Sequence, residues 1–229
     1  MNAESIKTEN YTFRQKFCYL MCRADYTSVL FTLTLLFLVI SGIQYWITDY
    51  VVSVLEHTKE TAFIVYIIVG ALGPVFGVAL SGCIFDRMGG YHGINTPLVF
   101  TGFMCLAGSL GLLSTAIANV YWLASCVLIQ LLFGGFCVPV LTGFMITRVP
   151  PKMRTQANSI ANLSYNLFGF FPAPSVYGIV YQATGSGTSR WGLFSIQVFG
   201  AFTILLMAPY MAVKRYKDNR ELEKYEQSV

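Results

Sequence analysis

Charge is what this sequence has least of. Asp, Glu, Lys and Arg make up 11% of its 229 residues, against about 25% in an average soluble domain. None of the four occurs between Arg87 and Arg148, or between Arg154 and Arg190. Charge-free runs of that length, in a chain that is 55% hydrophobic, exclude a soluble enzyme, a nucleic-acid binder and a disordered chain. They are read as membrane spans. The six cysteines have neither metal-ligand spacing nor a disulfide framework. Cys83, Cys105, Cys126 and Cys137 sit in or beside apolar runs as small packing residues. Cys18 and Cys22, four apart beside the first run, are either palmitoylation sites or ordinary helix residues. The phosphate-cradling pattern G-x-x-x-x-G-K-[ST] is missing, and the polar N-terminal stretch lacks the short apolar core of a signal peptide.

Six apolar runs are present, each long enough to cross a bilayer at ~1.5 Å per residue: 28–47, 61–85, 95–116, 120–146, 156–181 and 191–213. The expected organisation is an N-terminal segment, 1–27, in which 11–24 alternate apolar and basic positions as a surface helix does. A six-span bundle, 28–213, and a charged tail, 214–229, follow. An even number of spans puts thirteen of the fifteen Lys and Arg residues on one side, leaving Lys59 and Arg190 on the other. The positive-inside rule makes the basic side cytoplasmic, with both termini there, in a membrane the sequence does not name. His57 and His92 then lie on opposite sides and cannot share a metal. No Ser/His/Asp set converges within one leaflet either. No catalysis, cofactor or metal is therefore expected. Trp46, Trp122 and Trp191 fall toward the non-cytoplasmic ends, where aromatic belts form.

The loop after the second run carries the most specific pattern, Gly82-Cys83-Ile84-Phe85-Asp86-Arg87-Met88-Gly89-Gly90. Gly82 permits close helix approach, and Gly89 and Gly90 permit a tight turn. Asp86 can face helix N-terminal N–H groups, and Arg87 can pair with a carboxylate or a phosphate headgroup. The form G-x-x-x-D-R-x-G-G resembles the signature loop of the major facilitator superfamily of transporters, which joins the second and third helices of a six-helix half. Family loops usually continue with basic residues, whereas Tyr91 and His92 follow here. The stretch from Arg154 through Asn162 into Gly169-Phe170-Phe171-Pro172-Ala173-Pro174 and Tyr177-Gly178 is similar to the eleventh helix of spinster-like lipid transporters and organic-anion transporters. Gly42-Ile43-Gln44-Tyr45-Trp46 is a weaker echo of a half's opening helix. The resemblance implies an all-α membrane fold, the C-terminal six-helix half of a facilitator, and a cytoplasmic latch at Asp86 and Arg87. The residues alone allow a second reading, a charged turn that stops helices from sliding.

A complete facilitator has about twelve spans around a site between its halves. The resemblance therefore implies that this half needs a second six-helix bundle, from a homodimer or another chain. Candidate lining groups are the polar residues that interrupt the apolar runs. Asn158, Asn162 and Asn166 repeat every four residues with Tyr165 alongside. They form either a substrate-facing rail or interhelical hydrogen-bond glue. Pro172 and Pro174 break the same run, as a hinge or as a fixed kink. Gln130, Gln44, Tyr45 and Asp49 complete the set; Asp49 would be embedded if its helix runs on through 51–55. Gly73, Gly77 and Ser81, at steps of four, make a face for close helix packing, and Pro74 predicts a kink within it. Gln197 reads as a further glue residue. Two functions remain in view. One is secondary transport of a small organic or amphipathic solute by alternating access. The other is a non-transporting structural subunit, derived from a facilitator half, in a larger membrane complex.

Overall fold

A computed structural model describes residues 12–88, 95–185 and 190–226. Its elements are helical throughout. The first, α1 (Phe13–Met21), opens on a capping box in which the Gln15 side chain accepts the Thr12 backbone N–H at 2.8 Å. It forms within the segment whose alternating pattern predicted a surface helix. Next come α2 (Ala24–Asp49), extended by a π-helical turn to Val54, and α3 (Lys59–Arg87). They are followed by α4 (Thr96–Ser114) and α5 (Val120–Thr147). The last three are α6 (Arg154–Tyr165), α7 (Ala173–Ala183) and α8 (Trp191–Glu226). Local chemistry sets the joints. Asn119 fixes the tight turn between α4 and α5 by accepting from the backbone N–H groups of Tyr121 and Trp122 at 2.9 and 3.3 Å. Arg190 caps the end of α4 by donating to the Ala116 carbonyl at 3.0 Å.

Among the described residues, five helices are individually long and apolar enough to cross a membrane: Ala24–Val54, Lys59–Arg87, Thr96–Ser114, Val120–Thr147 and the Trp191–Val213 part of α8. The remaining predicted run, 156–181, is composite. It consists of α6, a π-helical turn over Asn166–Phe170, a break at Phe171 and Pro172, and α7. Three hydrogen bonds tie this composite to α2. The Tyr26 hydroxyl donates to the Ala157 carbonyl at 2.8 Å, Ser41 to Phe170 at 3.1 Å and the Trp46 indole to Pro174 at 3.0 Å. Residue numbers rise together on both sides of this ladder. The broken element therefore runs parallel to α2 and advances with it from Tyr26 to Trp46, about 30 Å at 1.5 Å per residue.

The remaining contacts alternate in direction as six crossings require. In α3 and α5 they run parallel, Gly73 meeting Leu131 and Phe85 meeting Phe136. Between α4 and α5 they run antiparallel, with the Phe100–Phe144 ring contact near one end and Gly111 against Gln130 near the other. Similarly, α8 is antiparallel to α2 (Ile196 at Gly42, Gly200 at Val39) and to α4 (Ile204 at Gly108, Gln197 at Gly111). The start of α2, the Arg87 end of α3, the 148–154 connection and the Val213 end of the apolar part of α8 consequently share one face.

Burial is uneven. The most enclosed helix is α2, with Val29, Leu33, Ile43 and Ile47 essentially inaccessible, while α3 exposes a broad apolar surface that includes Phe63, Ile67, Val75 and Phe76. Glycine decides how closely α3 approaches α5. A Cβ on Gly77 would strike the Leu132 carbonyl and lie 2.9 Å from the Phe136 nitrogen, and one on Gly135 would lie 2.7 Å from the Pro74 carbonyl. The Gly73–Gly77–Ser81 face is thus closed inside the bundle. Gly82 differs: among the described residues a Cβ there would meet nothing within 4 Å, so the close approach of α3 to α5 rests on Gly77. Trp122 and Trp191 project outward, as belt residues do, whereas Trp46 is half-buried and stacks on Tyr177 with ring centroids 4.5 Å apart.

Candidate functional site

The asparagine stripe is carried by α6 and the π turn behind it. Asn162 donates to the Asn158 carbonyl at 2.9 Å and Asn166 to the Asn162 carbonyl at 2.7 Å. Each amide so folds back one turn, a local bond that competes with the helix ladder. The Tyr165 hydroxyl donates to the Asn162 side-chain oxygen, and its ring stacks on Phe37 of α2 at 4.2 Å. Asn158 and Asn166 are exposed, and Asn162 and Tyr165 half-buried. None of the four hydrogen-bonds a side chain of another helix among the described residues. The row of amides therefore stands on the outside of the bundle, bordered by exposed Leu163, Leu167 and Phe168.

Beyond the stripe the helix breaks where prolines remove donors. Pro174 has no N–H for the Phe170 carbonyl, four residues earlier. Ser41 of α2 takes that carbonyl. Gly169 makes the approach possible, since a Cβ there would lie 2.5 Å from the Thr34 carbonyl. Pro172 lies in the two-residue break itself. The same device recurs in α3. Pro74 leaves the Gly70 carbonyl without its helical donor, and Gln44 of α2 supplies one at 3.2 Å. The half-buried Gln44 is thus engaged by a neighbouring backbone and does not join the asparagines. Sequence reasoning singled out the prolines of both helices but passed over Ser41. The signal available was a proline four residues after a carbonyl that needs a new donor.

The other predicted residues fall in three places. Gln130 is buried and forms a reciprocal amide pair with Gln197 of α8, at 2.6 and 3.1 Å, and Gln197 also reaches the Ser114 hydroxyl of α4 at 3.5 Å. Beside this pair lies a cavity of about 20 Å³ lined by Leu36, Met104, Gly134 and Thr203, room for about one water and too small for an organic solute. At the opposite end from the signature loop, Tyr45 is exposed, with its ring edge-on to Trp46 at 5.3 Å. Asp49 is half-buried and accepts from Ser53 at 3.2 Å. Its helix does continue to Val54, so Asp49 lies more than a turn inside it. Asp86 and Arg87 are exposed at the end of α3; Gly89, Gly90 and His92 lie outside the described residues. No group of His, Cys, Asp and Glu able to hold a metal occurs among the described residues.

Comparison with protein-family models matches residues 5–174 to the Major Facilitator Superfamily. The matched region includes α1 to α6, the signature loop, the asparagine stripe and both prolines of the break. No curated protein matches the chain.

Proposed function

We propose that this chain, which belongs to the Major Facilitator Superfamily and so to a family of multi-pass membrane transporters, works as one half of an alternating-access carrier for a small organic or amphipathic solute. The observation that carries this reading is the contrast between two sets of amides. Gln130 and Gln197 close on each other inside the bundle. Asn158, Asn162 and Asn166 stand outside it. An amide facing hydrocarbon leaves polar groups unsatisfied at several kcal/mol each, so the stripe calls for a second bundle or a water-filled path beside it. In this reading a second six-helix bundle, from another copy or another chain, covers the stripe and the solute passes between the two. Tyr165 and the asparagines line the inner part of the path; Tyr45 and Asp49 lie nearer its outer mouth.

The uncharged rail suits a solute with a modest polar head, in keeping with the spinster-like echo of 154–178. The break at Pro172 and Pro174 is the hinge. The face carrying the 148–154 connection and the end of α3 is cytoplasmic, by its excess of Lys and Arg, and α1 lies on that surface. Asp86 and Arg87 latch this face against the partner bundle in one conformation and release it in the other. Substituting Asp86→Asn tests the latch. Solute flux in proteoliposomes is expected to fall about tenfold, for loss of a charge-assisted contact of ~1.5 kcal/mol, with insertion unchanged. Wild-type flux in an intact assembly overturns the latch. The particle mass in mild detergent tests the halves: two bundles support a carrier, and stoichiometric extraction within a large complex supports a structural subunit instead.

A further inference from the structure

We propose that Cys18 and Cys22 are S-acylation sites that fix α1 in the membrane plane at the foot of α2. The two thiols are both exposed, whereas Cys137 is buried and Cys105 and Cys126 are partly so. Cys22 caps α1 in helical conformation. Arg14, Cys18 and Cys22 therefore form one stripe at steps of four. Leu20, about half a turn of the wheel away, is completely buried and seats the helix on the bundle. The thiols consequently face away from the protein. Arg14, one turn before Cys18, puts a positive charge on that stripe, whereas Phe13 and Phe17, 68% and 41% exposed, lie toward the side of α1 that carries Leu20. Paired, outward-facing thiols with a cation one turn away, on a helix that abuts the first residue of a membrane span, are the surroundings in which cysteines are acylated. Cys83, also exposed, lies inside the membrane-spanning α3 and has no second thiol beside it on its helix.

The donor is a long-chain acyl-coenzyme A, delivered by a membrane acyltransferase. The cysteine thiolate attacks the thioester carbonyl, a new C–S bond forms as the bond to coenzyme A breaks, and the departing thiolate takes up the proton; nothing is oxidised or reduced. In a chain already held by its spans, acyl chains add no anchorage that matters. Their effect is on α1, which they hold parallel to the bilayer on the face where the latch residues lie. The inference rests on the cytoplasmic orientation proposed above, because acyl-coenzyme A is a cytoplasmic donor.

The test is mass-tag labelling of the full chain in eukaryotic cell membranes. Free thiols are blocked, thioesters are cleaved with hydroxylamine, and the released thiols react with a polyethylene glycol maleimide. A two-step mass shift is expected in the parent chain, one step in Cys18→Ser and in Cys22→Ser, and none in the double variant at equal membrane levels. No hydroxylamine-dependent shift, or one that persists in the double variant, overturns the proposal. An epitope tag at the N-terminus, probed before and after permeabilisation, tests the orientation separately. A cytoplasmic tag without a mass shift overturns acylation alone, and an exterior tag overturns the orientation and with it the donor.

Discussion

Two residues that meet 67 positions apart in sequence hold three helices together. Gln130 and Gln197 exchange two hydrogen bonds in a buried site inside the bundle. A buried amide that loses its partner keeps the desolvation cost without the bond. Gln130→Leu or Gln197→Leu alone is therefore expected to destabilise the extracted protein by about 1–3 kcal/mol. The double variant removes both amides and should cost less than the two added together, a coupling that thermal unfolding in detergent will register. Additive costs would mean that the pair does not act as a unit. Gly77 is the corresponding test of packing. Gly77→Ala pushes a methyl group into the Leu132 carbonyl, and backbone cannot yield as a flexible side chain can. Loss of a monodisperse peak in size-exclusion chromatography is expected, whereas Gly82→Ala, facing open space, should elute as the parent does. The glycine spacing of α3 was readable from sequence. That a Cβ on Gly82 would face open space among the described residues was not, since spacing says which residues share a face and not which neighbour the face meets.

At the scale of elements, α2 supplies donors to carbonyls that prolines elsewhere have freed: Ser41 to Phe170 ahead of Pro174, and Gln44 to Gly70 ahead of Pro74. This makes Ser41 and Pro174 a linked pair. Ser41→Ala is expected to cost about 0.5–1.5 kcal/mol, and the cost should vanish in a Pro174→Ala background, where residue 174 regains its own N–H for the Phe170 carbonyl. A double-mutant cycle on unfolding temperature measures this, and an undiminished cost for Ser41→Ala in that background would refute the linkage. The helices themselves were legible because long apolar runs admit few alternatives in a bilayer. The composite nature of 156–181 was foreshadowed by its prolines. The extension of α2 to Val54 was less legible: Asp49 and Tyr50 read as an edge, and the π turn that carries the helix onward leaves no plain mark in sequence.

For the whole molecule, the alternation of helix directions and the family match describe a facilitator-type bundle, and the amides left on its exterior are what a second bundle would have to meet. The candidate site was only partly legible. The asparagine stripe follows from spacing alone. Gln130 and Gln44 shared its polar character but lie elsewhere, because which neighbour an intramembrane amide finds depends on how the helices are arranged around it. The most direct measurement is water accessibility along α6 and the π turn behind it. Single cysteines at 158, 162 and 166, and at the exposed apolar positions 163 and 167, are introduced into a cysteine-free chain in native membranes and treated with a charged methanethiosulfonate. The account predicts that the three stripe positions react at least about tenfold faster than 163 and 167, and that added solute slows them. Equal, slow reaction at all five would mean that the stripe is packed dry or faces lipid, and would contradict a path between two halves.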